Sequence, residues 1–261
     1  MSAPRTVRRA RPALGTIVET GVHLTGDEDA EAAFGRAWCT VAEVERALSV
    51  FDPRSDVARF NAAPAGASFP VGAHAAAVLR FARDLERESD GLFDVTLGTG
   101  RGHWSLEFEG GRTYIRKHAG RVRIDLGGIG KGYAVDAAFD ALVSGLGRAG
   151  GAACWVNAGG DIRVGDIEVP IWLRDEEGGG GGPWLSLSDG AIATSRYGPG
   201  ARSHLAGARA GEVRHVSVAA PRCMWSDALT KVVALSRRTD HPLLRGHHAV
   251  AWLHPEGAAC H

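Results

Sequence analysis

Between Val122 and Ala138 the chain reads VRIDLGGIGKGYAVDAA, an apolar strand pattern that passes through a glycine-rich turn into a helical pattern. Gly127, Gly128, Gly130 and Gly132 lack a Cβ and can take positive φ. Their amides can therefore approach an anion closely, while the new helix offers the positive end of its dipole. Lys131, next to Ile129 and Gly130 in the same turn, adds a mobile cation. A phosphate cradle is built this way. Glycines at a strand-to-helix junction also serve tight packing, and this segment alone leaves both readings open.

Other residues with chemical potential are less organised. Cys39, Cys154, Cys223 and Cys260 lie far apart and form no CxxC pair, which argues for reduced thiols over a zinc knuckle or a redox dithiol. His247, His248, His254, Cys260 and His261 are ligand types, but they lack a recognised metal spacing.

The elements that must position the glycine turn follow from periodicity. From Asp27 to Val50, Ala30, Phe34, Trp38, Val41, Val44 and Leu48 recur at helical spacing, with Thr25 or Asp27 able to cap the start. A second helix is expected from about Ala73 to Glu88, with Val78, Leu79, Ala82 and Leu85 inward and Ser89, Asp90 and Gly91 ending it. Thr113 to Lys117 and Arg121 to Ile124 flank His118, Ala119 and Gly120 and read as a β-hairpin. A third helix runs from Gly132 to Leu146. Strands over Cys154 to Asn157, Val169 to Arg174, Trp184 to Leu187 and Val216 to Ala219 precede a helix over Ser226 to Ser236 and a last strand through Val250 to Leu253. The mixture is α+β, not a regular βαβ array.

With 261 residues, 44% of them hydrophobic, the chain can bury a sizeable core, either as one large domain or as two intimately joined lobes, and is read as a single domain over residues 1–261. Gly178 to Gly182 reads as a flexible glycine loop inserted in a hairpin. Thirty Lys plus Arg balance thirty Asp plus Glu, so no charge excess points to nucleic acid or an anionic membrane. Arg5, Arg8, Arg9 and Arg11 read as a flexible basic arm over residues 1–12. No apolar run suits a signal peptide or a membrane span, which places the protein in the cytoplasm.

DLGGIGKGYAVD, NAGGDIRV, AIATS and SDALTK, in this order, resemble the ApbE family, the FAD:protein FMN transferases. Upstream, Leu14, Gly15 and Thr16 resemble that family's opening MGT. Ser55 to Asn61 (SDVARFN) resembles its Ser/Asn loop, and Phe93 to Thr96 (FDVT) its FDPT element. The resemblance covers nearly the whole chain. It implies a two-lobed α+β fold with FAD in the cleft between the lobes. It also implies Mg²⁺-assisted transfer of FMN to a threonine or serine of an acceptor protein, with AMP as the leaving group. Splitting a pyrophosphate calls for charge neutralisation, a positioned hydroxyl and exclusion of water, and the glycine turn suits the first.

Carried over residue by residue, the resemblance puts the magnesium ligands at Asp227, Lys231 and the carbonyl of Gly130. Asp227 suits a hard cation, or alternatively a helix N-terminus. Lys231 does not suit a metal. A charged ammonium has no lone pair, and four residues after Asp227 on a helix it forms an ion pair that occupies the cation's place. Where the family reads HIIDPRTG, the chain has His204, Leu205, Ala206, Gly207, Ala208, Arg209, Ala210 and Gly211, so His204 and Arg209 remain to meet a pyrophosphate. Asn157, Gly159 and Gly160 resemble a close-approach turn beside the flavin or adenosine, with Asp161 fixing that turn. Thr194 and Ser195 match the family's TS, and Arg196 replaces its glycine. Phe51 stands where the family has an aromatic beside the isoalloxazine, although a phenylalanine ending an amphipathic helix also reads as core. Two alternatives stay open, an FAD pyrophosphatase and a non-catalytic FAD or nucleotide binder in which Lys231 replaces the metal.

Overall fold

A computed structural model describes residues 5–25, 29–147, 153–172, 184–197 and 213–255. In chain order its elements are β1 (Arg5–Ala13), β2 (Thr16–Leu24), α1 (Glu31–Leu48), α2 (Asp56–Ala62), β3 (Ser68–Val71), α3 (Ala73–Glu88), β4 (Trp104–Glu109), β5 (Arg112–Lys117) and α4 (Gly130–Leu146). They continue with β6 (Cys154–Ala158), β7 (Asp161–Gly165), β8 (Val169–Trp172), β9 (Trp184–Leu187), β10 (Ala191–Arg196), β11 (Val213–Ala220), α5 (Cys223–Ser236), α6 (Pro242–Gly246) and β12 (Val250–Pro255). The fold is α+β, as the sequence pattern predicts, and every strand pairing among the described residues is antiparallel. Among the described residues one sheet runs β1-β2-β6-β7-β10-β11-β12, a second β3-β5-β4, and a third pairs β8 with β9.

Two apolar clusters hold the helices against these sheets. Val18, Val22 and Leu24 of β2 meet Phe34, Trp38 and Val41 of α1 and Val135, Phe139 and Leu142 of α4. The other cluster gathers Val78, Leu79 and Leu85 of α3, Trp104, Ile115, Ile124 and Ile129 with Leu229, Val232 and Val233 of α5. The apolar stripe of α1 spans both clusters, with Val44 and Leu48 in the second, whereas that of α3 packs in the second alone. No helix among the described residues is long and apolar enough to cross a membrane.

Three sequence expectations change. The basic arm is β1, paired with β2 along its whole length through a turn at Leu14 and Gly15, both with positive φ (54° and 69°). Arg9 and Arg11 lie over the rings of Phe34 and Trp38, so the arginines cover α1. The hairpin lies one strand earlier than expected, β4 to β5 across Gly110 and Gly111, whose positive φ values (55° and 77°) give the two-residue turn its twist. Residues 121–126 are not a strand. Val122, Ile124 and Leu126 alternate inward because the segment is extended against the core. The side chain of Asn61 takes the place of a neighbouring strand there, donating to the Ile124 carbonyl (2.9 Å) and accepting from its amide (2.7 Å). The Gly178 to Gly182 loop lies outside the described residues.

Candidate functional site

The motifs that look separate in sequence act together on the segment before α4. Ser55 caps α2, its Oγ accepting from the Ala58 amide at 2.9 Å, and so sets Asn61 against Ile124. Asp94 of the FDVT loop accepts from the Thr96 amide (2.8 Å) and hydroxyl (2.7 Å), and the Val95 carbonyl accepts from the Asp125 amide (2.9 Å). Asp125 then takes the Gly127 amide at 2.7 Å. The glycine turn is thus held rigid before any ligand arrives.

The cradle is narrower than the sequence suggests. None of Gly127, Gly128, Gly130 and Gly132 has positive φ. The Ile129 and Gly130 amides bond to the Leu126 carbonyl (3.1 and 2.7 Å), and the Gly132 amide donates to Asp227 Oδ2 (3.0 Å). The amides of Gly128 and Lys131 remain for an anion at the positive end of α4. Gly132 is glycine for packing, since a Cβ there would lie 2.8 Å from the Asp227 Cβ. The tight-packing alternative therefore accounts for part of the motif.

Two buried ion pairs stand below the turn. Asp227 and Lys231 sit one helical turn apart in α5, and Lys231 Nζ donates to Asp227 Oδ1 (2.5 Å), to the Asp227 carbonyl (2.9 Å) and to Ser195 Oγ (3.2 Å). Lys131 of α4 pairs with Asp161 Oδ2 of β7, while Asp161 Oδ1 is buried with no hydrogen-bond partner. Lys131 keeps 29% of its side chain exposed against 8% for Lys231, so Lys131 is the cation that faces outward. It is a paired group at the rim, not the mobile cation expected.

Burial would suppress ionisation at all four groups, and the neighbours decide which way each moves. Burial pushes Asp227 up, but Lys231 and Lys131 outweigh it and hold the carboxyl below the usual range. Burial also opposes the charge of Lys231 and of Lys131. For Lys231 the charge of Asp227 outweighs it, for Lys131 those of Asp161 and Asp227, and both lysines titrate above the ordinary value. Asp161 goes the other way. Burial and the charge of Asp227 overcome Lys131 and push it up to about 7.

The residues present do not fit Mg²⁺. Both carboxylate oxygens of Asp227 are taken, one by an ammonium, and a divalent ion beside Lys231 would meet direct repulsion with no replacement ligand at hand. Among the described residues no cluster of three or more His, Cys, Asp or Glu could hold a metal. Gly130 opens α4 and packs near Leu48, whose Cδ1 would be 3.2 Å from an added Cβ. Of the histidine and cysteine group at the C-terminus, His247 and His248 join no such cluster among the described residues, while the side chain of His254 and all of Cys260 and His261 lie outside them.

The remaining motif residues divide. Gly159 and Gly160 have positive φ (60° and 101°), and an added Cβ at Gly159 would lie 3.2 Å from the Thr16 Cβ, so the LGT and NAGGD motifs meet. Asn157, not Asp161, fixes that turn, its Oδ1 accepting from the Gly160 amide at 3.0 Å. Thr194 bonds to Ser217 (2.9 Å) on the neighbouring strand, and Ser195 bonds to Thr230 (2.8 Å) beside Lys231. Arg196 is exposed. Phe51 is 92% exposed just past the end of α1, so the core reading fails for it. His204 and Arg209 lie outside the described residues.

Sequence reading missed Asp136. Its Oδ1 and Oδ2 accept from the Cys223 and Met224 amides (3.0 and 2.9 Å), and Arg163 pairs with it at 2.7 Å. This carboxylate starts α5 three residues earlier than the apolar pattern indicates. An acidic residue among Ala134, Val135, Ala138 and Phe139 was the available signal. An open depression of about 530 Å³ lined by Gly98, Thr99, Gly100, Arg101, His103 and Arg121 shares no residue with this corner.

The fold and the corner define an α+β protein whose α4 N-terminus lies beside two lysine–aspartate pairs, Lys131–Asp161 and Lys231–Asp227. The chain belongs to the ApbE family, whose model matches residues 14–244. Its fold is similar to that of the ApbE protein from Thermotoga maritima, with a TM-score of 0.82 and 24% identity over 98% of this chain and 96% of that one. It is also similar to the flavin transferase ApbE from Vibrio cholerae (TM-score 0.76, 20% identity, 98% and 95% covered). The Pseudomonas stutzeri flavinyl transferase ApbE aligns with a TM-score of 0.73 at 21% identity over 89% and 84%. Among curated proteins none matches.

Proposed function

We propose that the chain is a flavin transferase that takes FAD and passes its FMN part to a threonine or serine hydroxyl of an acceptor protein. The acceptor oxygen forms a bond to the phosphorus on the FMN side, the phosphoanhydride bond breaks, the hydroxyl proton is lost, and AMP departs. The observation that carries this reading is the start of α4 in the ApbE fold, where the glycine turn offers the Gly128 and Lys131 amides and the part-exposed Lys131 ammonium stands paired with Asp161. There they neutralise charge on the diphosphate as it divides. Phe51 offers an open ring face for the isoalloxazine. In the same reading His204 carries the hydroxyl proton and Arg209 grips the diphosphate with its fork of donors.

A second reading, an FAD binder without transfer, is favoured by Lys231 standing on Asp227. The test is incubation of the protein with FAD and a threonine-bearing acceptor, followed by separation of the nucleotides and inspection of the acceptor for bound flavin. AMP in step with flavin on the acceptor is the expected result. AMP with free FMN makes the protein a pyrophosphatase, and intact FAD bound to the protein supports the binder.

A further inference from the structure

Asp227 Oδ1, the Asp227 carbonyl and Ser195 Oγ stand 2.5, 2.9 and 3.2 Å from one point, the Lys231 Nζ. Carboxylate, carbonyl and hydroxyl oxygens around one centre are the donor set of a hard cation. Thr230 braces the cage, its Oγ1 donating to the Asp227 carbonyl (2.7 Å) and lying 2.8 Å from Ser195 Oγ. Three oxygens use the three hydrogens of the ammonium, so Lys231 has no donor left for a ligand. Its stem passes directly under the glycine turn, with Cε 3.1 Å from where a Cβ on Gly128 would be. The charge of Lys231 is therefore fixed beneath the place where an anion meets the Gly128 amide.

We infer that Lys231 is a tethered cation filling a divalent-ion seat, so that this chain binds a dinucleotide diphosphate without a metal and leaves direct phosphate contact to Lys131. The choice of FAD as ligand rests on the function proposed above; the filled seat does not. The division of labour follows from exposure and donor count. Lys231 is enclosed and fully bonded, whereas Lys131 reaches the rim with hydrogens beyond the one given to Asp161.

The test has two arms on the full chain. Mn²⁺ is titrated into ligand-free protein and followed by electron paramagnetic resonance, and FAD affinity is measured by flavin fluorescence in EDTA and in Mg²⁺. Wild type is expected to take up no stoichiometric Mn²⁺ and to bind FAD with constants that agree within about twofold in the two buffers. Lys231→Thr empties the cage and is expected to bind one Mn²⁺ and to hold FAD about tenfold more tightly in Mg²⁺ than in EDTA, each tenfold being about 1.4 kcal/mol. One Mn²⁺ per wild-type chain, lost in Asp227→Asn, overturns the inference, as does a tenfold loss of wild-type affinity in EDTA. A folded Lys231→Thr protein without Mn²⁺ uptake also overturns it. If that variant does not fold, the wild-type arms decide. If wild type binds no FAD in either buffer, the FAD reading fails while the Mn²⁺ titration still judges the seat.

Discussion

Asp136 and Asp227 cap each other's helices: Asp136 in α4 accepts the first amides of α5, and Asp227 in α5 accepts the Gly132 amide in the first turn of α4. Each carboxylate supplies the negative charge that the opposite helix start favours. Removing either one uncaps the start of the opposite helix. Asp136→Ala strips two charge-assisted bonds from the start of α5 and leaves Arg163 only the more distant Asp140 (3.5 Å), so the protein is expected to lose about 3 kcal/mol of stability, measured by urea unfolding.

Gly132 is the contact point of the two capped helices. Gly132→Ala would drive a methyl group against the Asp227 Cβ and the Cys223 backbone, where nothing flexible can give way. A loss of about 2 kcal/mol or more is expected by urea unfolding, with a weakened response to FAD because α4 must shift. Gly127→Ala, which meets only the side-chain oxygen of Asp125 at 3.0 Å, should cost less.

Lys131→Met should weaken FAD binding about tenfold in a fluorescence titration, because it removes the outward cation of the corner, and should also lower stability, because it leaves the buried Asp161 without its ammonium partner. The neutral replacement keeps the stem that covers Asp161. Unchanged affinity would place the phosphates elsewhere.

Phe51→Ala should change stability by less than about 0.5 kcal/mol, since the ring is almost entirely in solvent, yet weaken FAD binding about tenfold. Phe51→Tyr should restore binding. Equal affinity for all three proteins would remove the ring from the flavin site.

The acid side of the stability curve should carry the mark of Asp161. Its carboxyl is pushed up to about 7 in the folded protein, against an ordinary value of 3.8. Between those values the folded state holds a proton that the unfolded state has lost. Its contribution is complete below 3.8 and is lost as pH rises through 7, at up to about 1.4 kcal/mol per pH unit. Asp161→Asn should flatten this decline in thermal unfolding between pH 4 and 8.

The long helices were legible because α1 and α3 each bury one stripe, and a stripe repeats at helical spacing whatever it packs against. Strand β1 was not, because its arginine-rich sequence has no buried face to alternate and its pairing comes through backbone bonds to β2. Residues 121–126 show the converse. Their alternation was real, but an asparagine side chain, not a strand, lay alongside. At the candidate site, the glycine turn, Asp161, Ser195, Asp227 and Lys231 of separate ApbE motifs come together in one corner. The inward turn of Lys231 depends on the clearance above Gly128, and the capping role of Asp136 on where α5 begins, and neither is written in one segment.

Strand β1 ends the seven-stranded order among the described residues and carries Arg5, Arg8, Arg9 and Arg11 with Pro12. A sheet's last strand is a template for another chain. If two copies met here edge to edge, one run of arginines would face the other, and proline would break the hydrogen-bond ladder near its end. The basic segment that reads as a flexible arm thus gives the last strand of a long antiparallel sheet the charge and the proline that disfavour its pairing with a second copy.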